Sequence, residues 1–140
     1  MFGTFCYKYA STPKTESGAT NDCNGQGAHI ASIHSAEENA FVQKLGESTH
    51  SKWLGARKKG GSFQWLDGTA FNFKKWNPGM PDNYAGVESC IEIQTNKGWN
   101  DISCNSERRY VCKKPLPGIF SFIALSQFYQ FFYQYSLKNP

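Results

Sequence analysis

Short segments in which hydrophobic and polar residues alternate recur along the chain and predict a fold built largely from β-strands. The alternation is clear in Phe5–Tyr9 and in Ile91–Gln94, and it places every second side chain on one face of a sheet. The runs Ala28–Ile33 and Tyr110–Cys112 are also strand-like, and the second of them predicts the last strand. Glycine and proline clusters separate the short segments that follow Trp53, which indicates strands joined by loops.

One segment has the pattern of an amphipathic helix of roughly ten residues. Ser35 is a favourable N-cap, and Glu38, placed three residues later, completes a capping-box pattern. Gly46 supplies a stop signal for this helix. Its hydrophobic residues fall on one face: Phe41, Val42 and Leu45. A second short helix is predicted near Cys23, inside a polar stretch.

The composition favours a single loop-rich domain. With 140 residues the chain can form one hydrophobic core and is too short for two ordinary domains. Aromatic residues make up 16% of the chain and glycine contributes 13 residues, whereas charged residues make up only 19%. These proportions are typical of a core built on aromatic rings and argue against a helical bundle.

The positive charge is dispersed. The net charge is +4, and the basic residues occur in short pairs: Lys58-Lys59, Lys74-Lys75, Arg108-Arg109 and Lys113-Lys114. A nucleic-acid-binding protein usually has a denser basic face, so we expect no nucleic-acid partner. Solvated loop edges explain these pairs best, and a weak preference for anionic surfaces stays open.

The cysteines indicate an oxidising compartment. The chain has five cysteines: Cys6, Cys23, Cys90, Cys104 and Cys112. None of them forms a C-x-x-C pair, which argues against a zinc ribbon or a thioredoxin-type site. Wide spacings in a small glycine-rich domain favour structural disulfides and a secreted or extracellular protein. The first residues lack the basic and apolar regions of a signal peptide, so we expect any leader to belong to a longer precursor. Because the number of cysteines is odd, at least one thiol is free or paired with a group outside this chain.

The composition changes after Pro117, so we expect a domain over residues 1–115 and an aromatic-rich tail over 116–140. Ile119–Leu137 has no charge and carries eight aromatic residues among Ser and Gln. Its length approaches that of a membrane span, but its glutamines make it a poor hydrocarbon solute. A poorly ordered or loosely packed tail is the preferred interpretation, followed by an interfacial membrane contact and then by a removed anchor signal.

Several short motifs between Phe5 and Lys114 occur in one order. They are Trp53-Leu54-Gly55, Phe63-x-Trp65-x-Asp67-Gly68, Trp76-Asn77-Pro78-Gly79, Pro81-Asp82, Glu88-x-Cys90, Trp99-Asn100-Asp101-x-x-Cys104 and Tyr110-x-Cys112. As an ordered set they resemble the C-type lectin-like domain family. The resemblance implies an α+β fold, with two short helices, small antiparallel sheets, stapling disulfides and a long calcium-binding loop region.

The family's disulfide pattern would join Cys23 to Cys112 and Cys90 to Cys104. The first bond ties the two ends of the domain together. The second closes a loop of roughly fifteen residues, which is worth about 3 kcal/mol in the chain-entropy model. Cys6 matches the second cysteine of an extra pair found in longer members, so its partner would lie upstream.

The resemblance also implies one calcium site made of hard oxygen ligands, which calcium prefers. Its ligands in this chain would be four residues: Asp82, Glu88, Asn100 and Asp101. The family has Glu-Pro-Asn or Gln-Pro-Asp where this chain has Met80-Pro81-Asp82, and the family's proline is cis. Met80 departs from the pattern, because a thioether is a soft and weak ligand. Met80, Pro81 and Trp99 would shape the loop around the ion.

The implied function is calcium-dependent binding of glycans on cell or microbial surfaces. Sugar hydroxyls would contact the residues that hold the ion, and Tyr84 would offer a ring on which a sugar can stack. An aspartate at position 82 matches the family's galactose-type motif, so we expect a preference for galactose. Because Met80 is a poor ligand, we also expect weakened calcium affinity. The family's second calcium site is expected to be absent, because the segment 56–61 is basic.

Two other classes of function compete with glycan binding. A lectin-like domain that binds protein or mineral surfaces without calcium or sugar stays open, because related motifs occur in members that bind no calcium. An enzyme is not expected: the chain has no G-x-S-x-G elbow, and Glu88 and Asp101 resemble ion ligands more than a glycosidase pair. His29, His34 and His50 are expected to be surface or structural residues.

Overall fold

The computed structural model describes residues 1–46 and 49–116, which form an α+β fold with two helices, as predicted. The first half contains β1 (Phe5–Lys14), α1 (Glu16–Gly25), β2 (His29–Ile30) and α2 (Ala36–Lys44). The second half contains β3 (Lys52–Lys59), β4 (Ser62–Trp65), a 3-10 turn (Tyr84–Gly86), β5 (Cys90–Ile93), β6 (Trp99–Ile102) and β7 (Arg108–Pro115). The predicted tail lies outside the described residues, apart from Leu116. Among the described helices, none has the length and hydropathy needed to cross a membrane.

The strands form one connected sheet in the order β1-β7-β3-β5-β6, with β2 paired to β7 and β4 paired to β3. Most neighbouring strands are antiparallel, as expected, and a parallel pairing of β3 with β7 at Lys52 and Trp53 joins them into one sheet. The antiparallel pairing of Phe5 with Pro115 brings the two ends of the domain together. The strand predicted over Ala28–Ile33 is shorter than expected, because only His29–Ile30 pairs with β7.

Helix α2 begins as predicted but does not form a complete capping box. The Ser35 hydroxyl accepts a hydrogen bond of 3.1 Å from the backbone N–H of Glu38. The Glu38 carboxylate does not return to Ser35; it accepts from the backbone N–H of His34, from the Tyr7 hydroxyl and from the Lys113 ammonium. This difference arises because Lys113 is buried and its charge requires a partner.

Aromatic rings fill the core, as the composition predicted. Trp53, Trp65 and Trp99 are almost fully buried, and Trp65 meets Trp99 edge to face with ring centroids 5.7 Å apart. The Trp99 indole donates a hydrogen bond of 2.7 Å to the Asn39 side chain, so its buried polar atom has a partner. The predicted apolar face of α2 packs here through Phe41, Val42 and Leu45.

Both predicted disulfides are present. Cys23–Cys112 links α1 to β7 across 89 residues, and Cys90–Cys104 links β5 to the segment after β6 across 14 residues. Cys6 has no disulfide partner among the described residues. The two bonds fix the helical end of the domain and the loop end separately.

Candidate functional site

A long loop over residues 66–89 connects β4 to β5 and is fastened to β6. Trp76 forms an isolated parallel bridge with Trp99. The Trp99 N–H donates to the Lys75 carbonyl at 2.6 Å, and the Asn77 N–H donates to the Trp99 carbonyl at 2.9 Å. Because Trp99 immediately precedes Asn100 and Asp101, this anchor holds the loop beside both predicted ligands.

The loop turns sharply after its anchor. The Met80–Pro81 peptide bond is cis, as the resemblance implied. Asn83 and Ala85 adopt positive φ angles of 48° and 57°. The carboxylate of Asp101 accepts hydrogen bonds from the backbone N–H groups of Asp82 at 3.0 Å and of Asn83 at 2.7 Å. Asp101 is therefore a structural tie for the turn as well as a candidate ligand.

Three carboxylates converge at this turn. Asp82 is exposed, Glu88 is half-buried and Asp101 is fully buried, and their oxygens lie within 4.8 Å of one another. The backbone N–H of Tyr84 donates to both Asp82 and Glu88, at 3.2 and 3.1 Å. A cluster of this kind concentrates negative charge on oxygen atoms, which are the ligands that calcium prefers.

The electrostatics of Glu88 agree with that chemistry. Burial raises its pKa, and the neighbouring Asp82 and Asp101 raise it further, while the hydrogen bond from the Tyr84 N–H acts in the opposite direction. The net shift of the pKa is upward, first because burial disfavours the charged form and then because two other carboxylates lie nearby. A divalent cation would relieve this repulsion, so the donor set present here fits calcium.

Asn100 lies on β6 directly before Asp101 in the chain, with its side chain tied to β5. Its amide nitrogen donates a hydrogen bond of 3.2 Å to the Glu92 carboxylate. The amide oxygen, which is the candidate ligand atom, takes no part in this bond. Glu92 is buried, pairs with Asn100 in the β5–β6 register and accepts a hydrogen bond of 2.5 Å from Arg108. Sequence reasoning did not single out Glu92; its signal was a charged residue between two isoleucines of a predicted strand.

The sequence model described as "Lectin C-type domain" matches residues 12–114, which is most of the chain. The chain belongs to the C-type lectin family. It is 39% identical over 114 residues to the versican core protein of Rattus norvegicus and 39% identical over 120 residues to a C-type lectin, a lectoxin, of Thrasops jacksonii. Both matches cover 78% of this chain, but it spans 4% of the versican protein and 76% of the lectoxin.

Solved structures give the same fold. The carbohydrate-recognition domain of cow CD23, crystallised in the presence of a GlcNAc2Man3 oligosaccharide, has a TM-score of 0.77 and 30% identity, covering 82% of this chain and 91% of that one. A calcium-independent type II antifreeze protein has a TM-score of 0.76 and 28% identity, covering 82% and 89%. The same fold thus occurs in a carbohydrate-recognition domain and in an antifreeze protein that is calcium-independent.

The remaining predicted residues of this C-type lectin domain surround the carboxylates. Met80 is half-buried in the turn, and its backbone N–H donates to the Asn77 carbonyl at 3.0 Å. Tyr84 is 74% exposed, so its ring is accessible. Trp99 is fully buried and anchors the loop through its backbone.

The region that corresponds to the family's second calcium site has a different character. Ala56 is buried, Arg57 forms an ion pair with the buried Glu16, and the Lys58 ammonium lies over the Phe63 ring. Within the described ranges, Asp82, Glu88 and Asp101 form the one group of three acidic, histidine or cysteine residues that could hold a metal.

The structure also brings together a serine, a histidine and an aspartate that the sequence did not connect. Ser32 donates to Asp67 at 2.5 Å, and His34 lies 3.2 Å from Ser32 and 2.9 Å from Thr69. In a catalytic triad the serine bonds to the histidine and is accessible to substrate. Here Ser32 is fully buried and its hydroxyl donates its hydrogen bond to the Asp67 carboxylate. This group therefore fastens the start of the long loop to the segment after β2.

Proposed function

We propose that this domain binds carbohydrate with the help of one calcium ion held by Asp82, Glu88, Asn100 and Asp101. The observation that carries the proposal is that carboxylate oxygens of Asp82 and Glu88 on the loop and of Asp101 on β6 lie within 4.8 Å of one another. Two backbone hydrogen bonds to Asp101 hold the loop in this position. When bound, calcium supplies coordination positions that sugar hydroxyls occupy. Membership of the C-type lectin family and the resemblance to the CD23 carbohydrate-recognition domain support this function.

The residues of the proposed site have different roles. The buried Asp101 fixes the turn through two backbone N–H groups and faces the other carboxylates. Glu88 and Asp82 offer oxygens that can accept hydrogen bonds from neighbouring sugar hydroxyls. The exposed ring of Tyr84 can stack on the apolar face of a sugar, which together with Asp82 favours galactose-type ligands.

Met80 is expected to weaken calcium binding, so Met80→Gln is expected to tighten it about tenfold by adding one oxygen ligand. Isothermal titration calorimetry with calcium measures this change. Thr12→Gln is the control, because it adds the same amide at an exposed position of β1, at the opposite edge of the sheet from β6. Unchanged calcium affinity in Met80→Gln would show that position 80 does not face the ion.

The Met80 departure also favours a second candidate function. A lectin-like domain that binds protein or mineral surfaces without calcium or sugar would not need this ligand. The similarity in fold to a calcium-independent antifreeze protein supports this alternative. The two functions differ in their response to a chelator.

A glycan array probed with the labelled chain tests the proposal. With millimolar calcium we expect galactose-terminated glycans to be bound in preference to mannose-terminated ones, and EDTA to abolish that binding. Binding that survives EDTA without a sugar preference would favour the alternative function.

We further infer that the domain acts outside the cell, on glycans of cell or microbial surfaces. The two disulfides support an oxidising compartment. Residues 1–115 are the proposed binding domain, and the ordered pairing of Phe5 with Pro115 supports that boundary.

A further inference from the structure

A second concave surface lies on the other side of the loop anchor. It is a cleft of about 750 Å³ between the end of α2, residues 75–78 in the middle of the long loop and the β5–β6 turn. Its walls carry Gln43, Lys75, Trp76, Asn96 and Lys97, among other residues. The cleft is as large as many small-ligand sites, which occupy about 300–1,000 Å³.

Hydrogen bonds hold the walls of this cleft in place. The Gln43 side chain donates to the carbonyls of Gln94 and Lys97, at 2.7 and 2.6 Å. The Asn77 side chain donates to the Gln94 side chain at 2.7 Å and accepts from the Gly98 N–H at 2.6 Å. A ligand would therefore enter a preformed surface and order little of the chain, which favours binding.

The cleft is positively charged. Lys75 and Lys97 are exposed, and neither ammonium has an ion-pair or hydrogen-bond partner among residues 1–46 and 49–116. No carboxylate is among the residues that line it. Glu92, which Gln94 contacts, is neutralised by Arg108. Two ammonium groups without acidic partners favour an anionic ligand.

Trp76 gives the cleft an apolar wall. One side of its ring packs against Phe63 and Trp99, with centroids 5.3 and 5.8 Å away, and the half-buried ring also lines the cleft. Aromatic rings bind the apolar faces of sugars, and amides such as Asn96 bind hydroxyls. The combination of ring, amide and ammonium groups fits a sugar that carries anionic substituents.

The cleft is also close to the carboxylate cluster along the chain. Trp76 and Met80 are separated by four peptide links, which span at most about 15 Å. One oligosaccharide chain can therefore reach both places. A nucleic acid is less suitable, because it would need a longer basic face.

We propose that this cleft is a calcium-independent subsite for sulfated glycans, with Lys75 and Lys97 binding the sulfate groups and Trp76 supporting the sugar ring. The choice of a glycan over another anion rests on the proposed function, whereas the binding of anions does not. The subsite would extend recognition beyond the terminal sugar at the carboxylate cluster.

The test uses the full chain in EDTA, with a sulfated galactan oligosaccharide and its desulfated counterpart as probes in isothermal titration calorimetry. We expect the sulfated probe alone to bind, with an affinity that falls as salt rises. The double variant Lys75→Gln/Lys97→Gln is expected to lose at least about fivefold in affinity, as for two partly exposed ion pairs. Near-UV circular dichroism checks that the fold is kept.

The chain offers a matched control. Lys8 and Lys114 are both exposed and both bond to Gln26, so they form another pair of neighbouring lysines. The cavity that both lysines line is only about 90 Å³, and the cavity of about 340 Å³ that Lys8 also lines contains the carboxylate of Asp22. Lys8→Gln/Lys114→Gln removes the same charge and is expected to leave the affinity unchanged.

Three results would overturn the proposal: equal loss in both double variants, equal binding of the desulfated probe, or no binding of either probe. A fourth would be equally tight, lysine-dependent binding of phosphatidylserine vesicles, which would assign the cleft to membranes. None of these results depends on calcium, so the proposed function can fail or stand separately.

Discussion

Lys113→Met is expected to lower the free energy of unfolding by about 3–5 kcal/mol, because it leaves a buried carboxylate without a cation. The side chains of Lys113 and Glu38 are only 4% and 6% exposed, and their charged atoms lie 2.5 Å apart. The Lys113 ammonium also donates to the Ser32 carbonyl and lies over the rings of Phe5 and Tyr7. Urea unfolding followed by tryptophan fluorescence measures the change.

The contribution of the Lys113–Glu38 charge pair to stability can be separated from that of the packing of the lysine's aliphatic chain. The double variant Glu38→Gln/Lys113→Met removes both charges and is expected to recover part of the loss. Lys114→Met changes the neighbouring exposed residue and is expected to stay within about 0.5 kcal/mol of wild type. A loss below about 1 kcal/mol in Lys113→Met would contradict the description of a buried, mutually dependent pair.

Asp101→Asn is expected to lower calcium affinity by about a hundredfold, the upper end of the range seen when a metal site loses one outer-shell partner, because Asp101 is proposed as a direct ligand. The substitution removes the most buried of the three negative charges. It also disturbs the turn, because both carboxylate oxygens of Asp101 accept backbone N–H groups. An asparagine would direct its amide N–H₂ group at one of these donors. Calcium titration calorimetry measures the loss.

Glu37→Gln is the control for this second prediction. Glu37 is an exposed residue of α2, so its substitution removes one negative charge elsewhere in the chain. We expect this variant to bind calcium as the wild type does. If Asp101→Asn binds calcium equally well, the ion is held at another place and the ligand set proposed for this loop is wrong.

Features encoded locally could be predicted from the sequence. The Ser35 cap depends on residues three positions apart, and the structure confirms it. The strands around Phe5 and Ile91 follow from alternation and the one around Tyr110 from its strand-like residue types, and all three are present. The resemblance to C-type lectins implied both disulfides, which are also confirmed.

Features that depend on distant partners were missed. The Glu38 carboxylate looked like half of a capping box, but Lys113, 75 residues away, competes for it and is buried beside it. The parallel pairing of β3 with β7 has no local signal, because alternation does not distinguish parallel from antiparallel neighbours. The same holds for Glu92, whose burial depends on Arg108 from another strand.

The residues of the candidate site were predicted from the order of the motifs. The structure adds the hydrogen bonds that position these residues. Three of the four predicted ligands lie together: Asp82, Glu88 and Asp101. That they bind a metal ion stays a prediction. The backbone N–H groups of residues 82–84 that connect them leave no trace in residue types, because every residue except proline carries one. Their contribution depends on the loop's conformation and is visible only in three dimensions.

A crystal structure of this chain grown with millimolar calcium would test the central claim most directly. We predict one calcium ion bonded to oxygens of Asp82, Glu88, Asn100 and Asp101 at about 2.4 Å, with the Met80 sulfur outside the coordination sphere. A loop without the ion at saturating calcium, or an ion bound elsewhere in the domain, would contradict it.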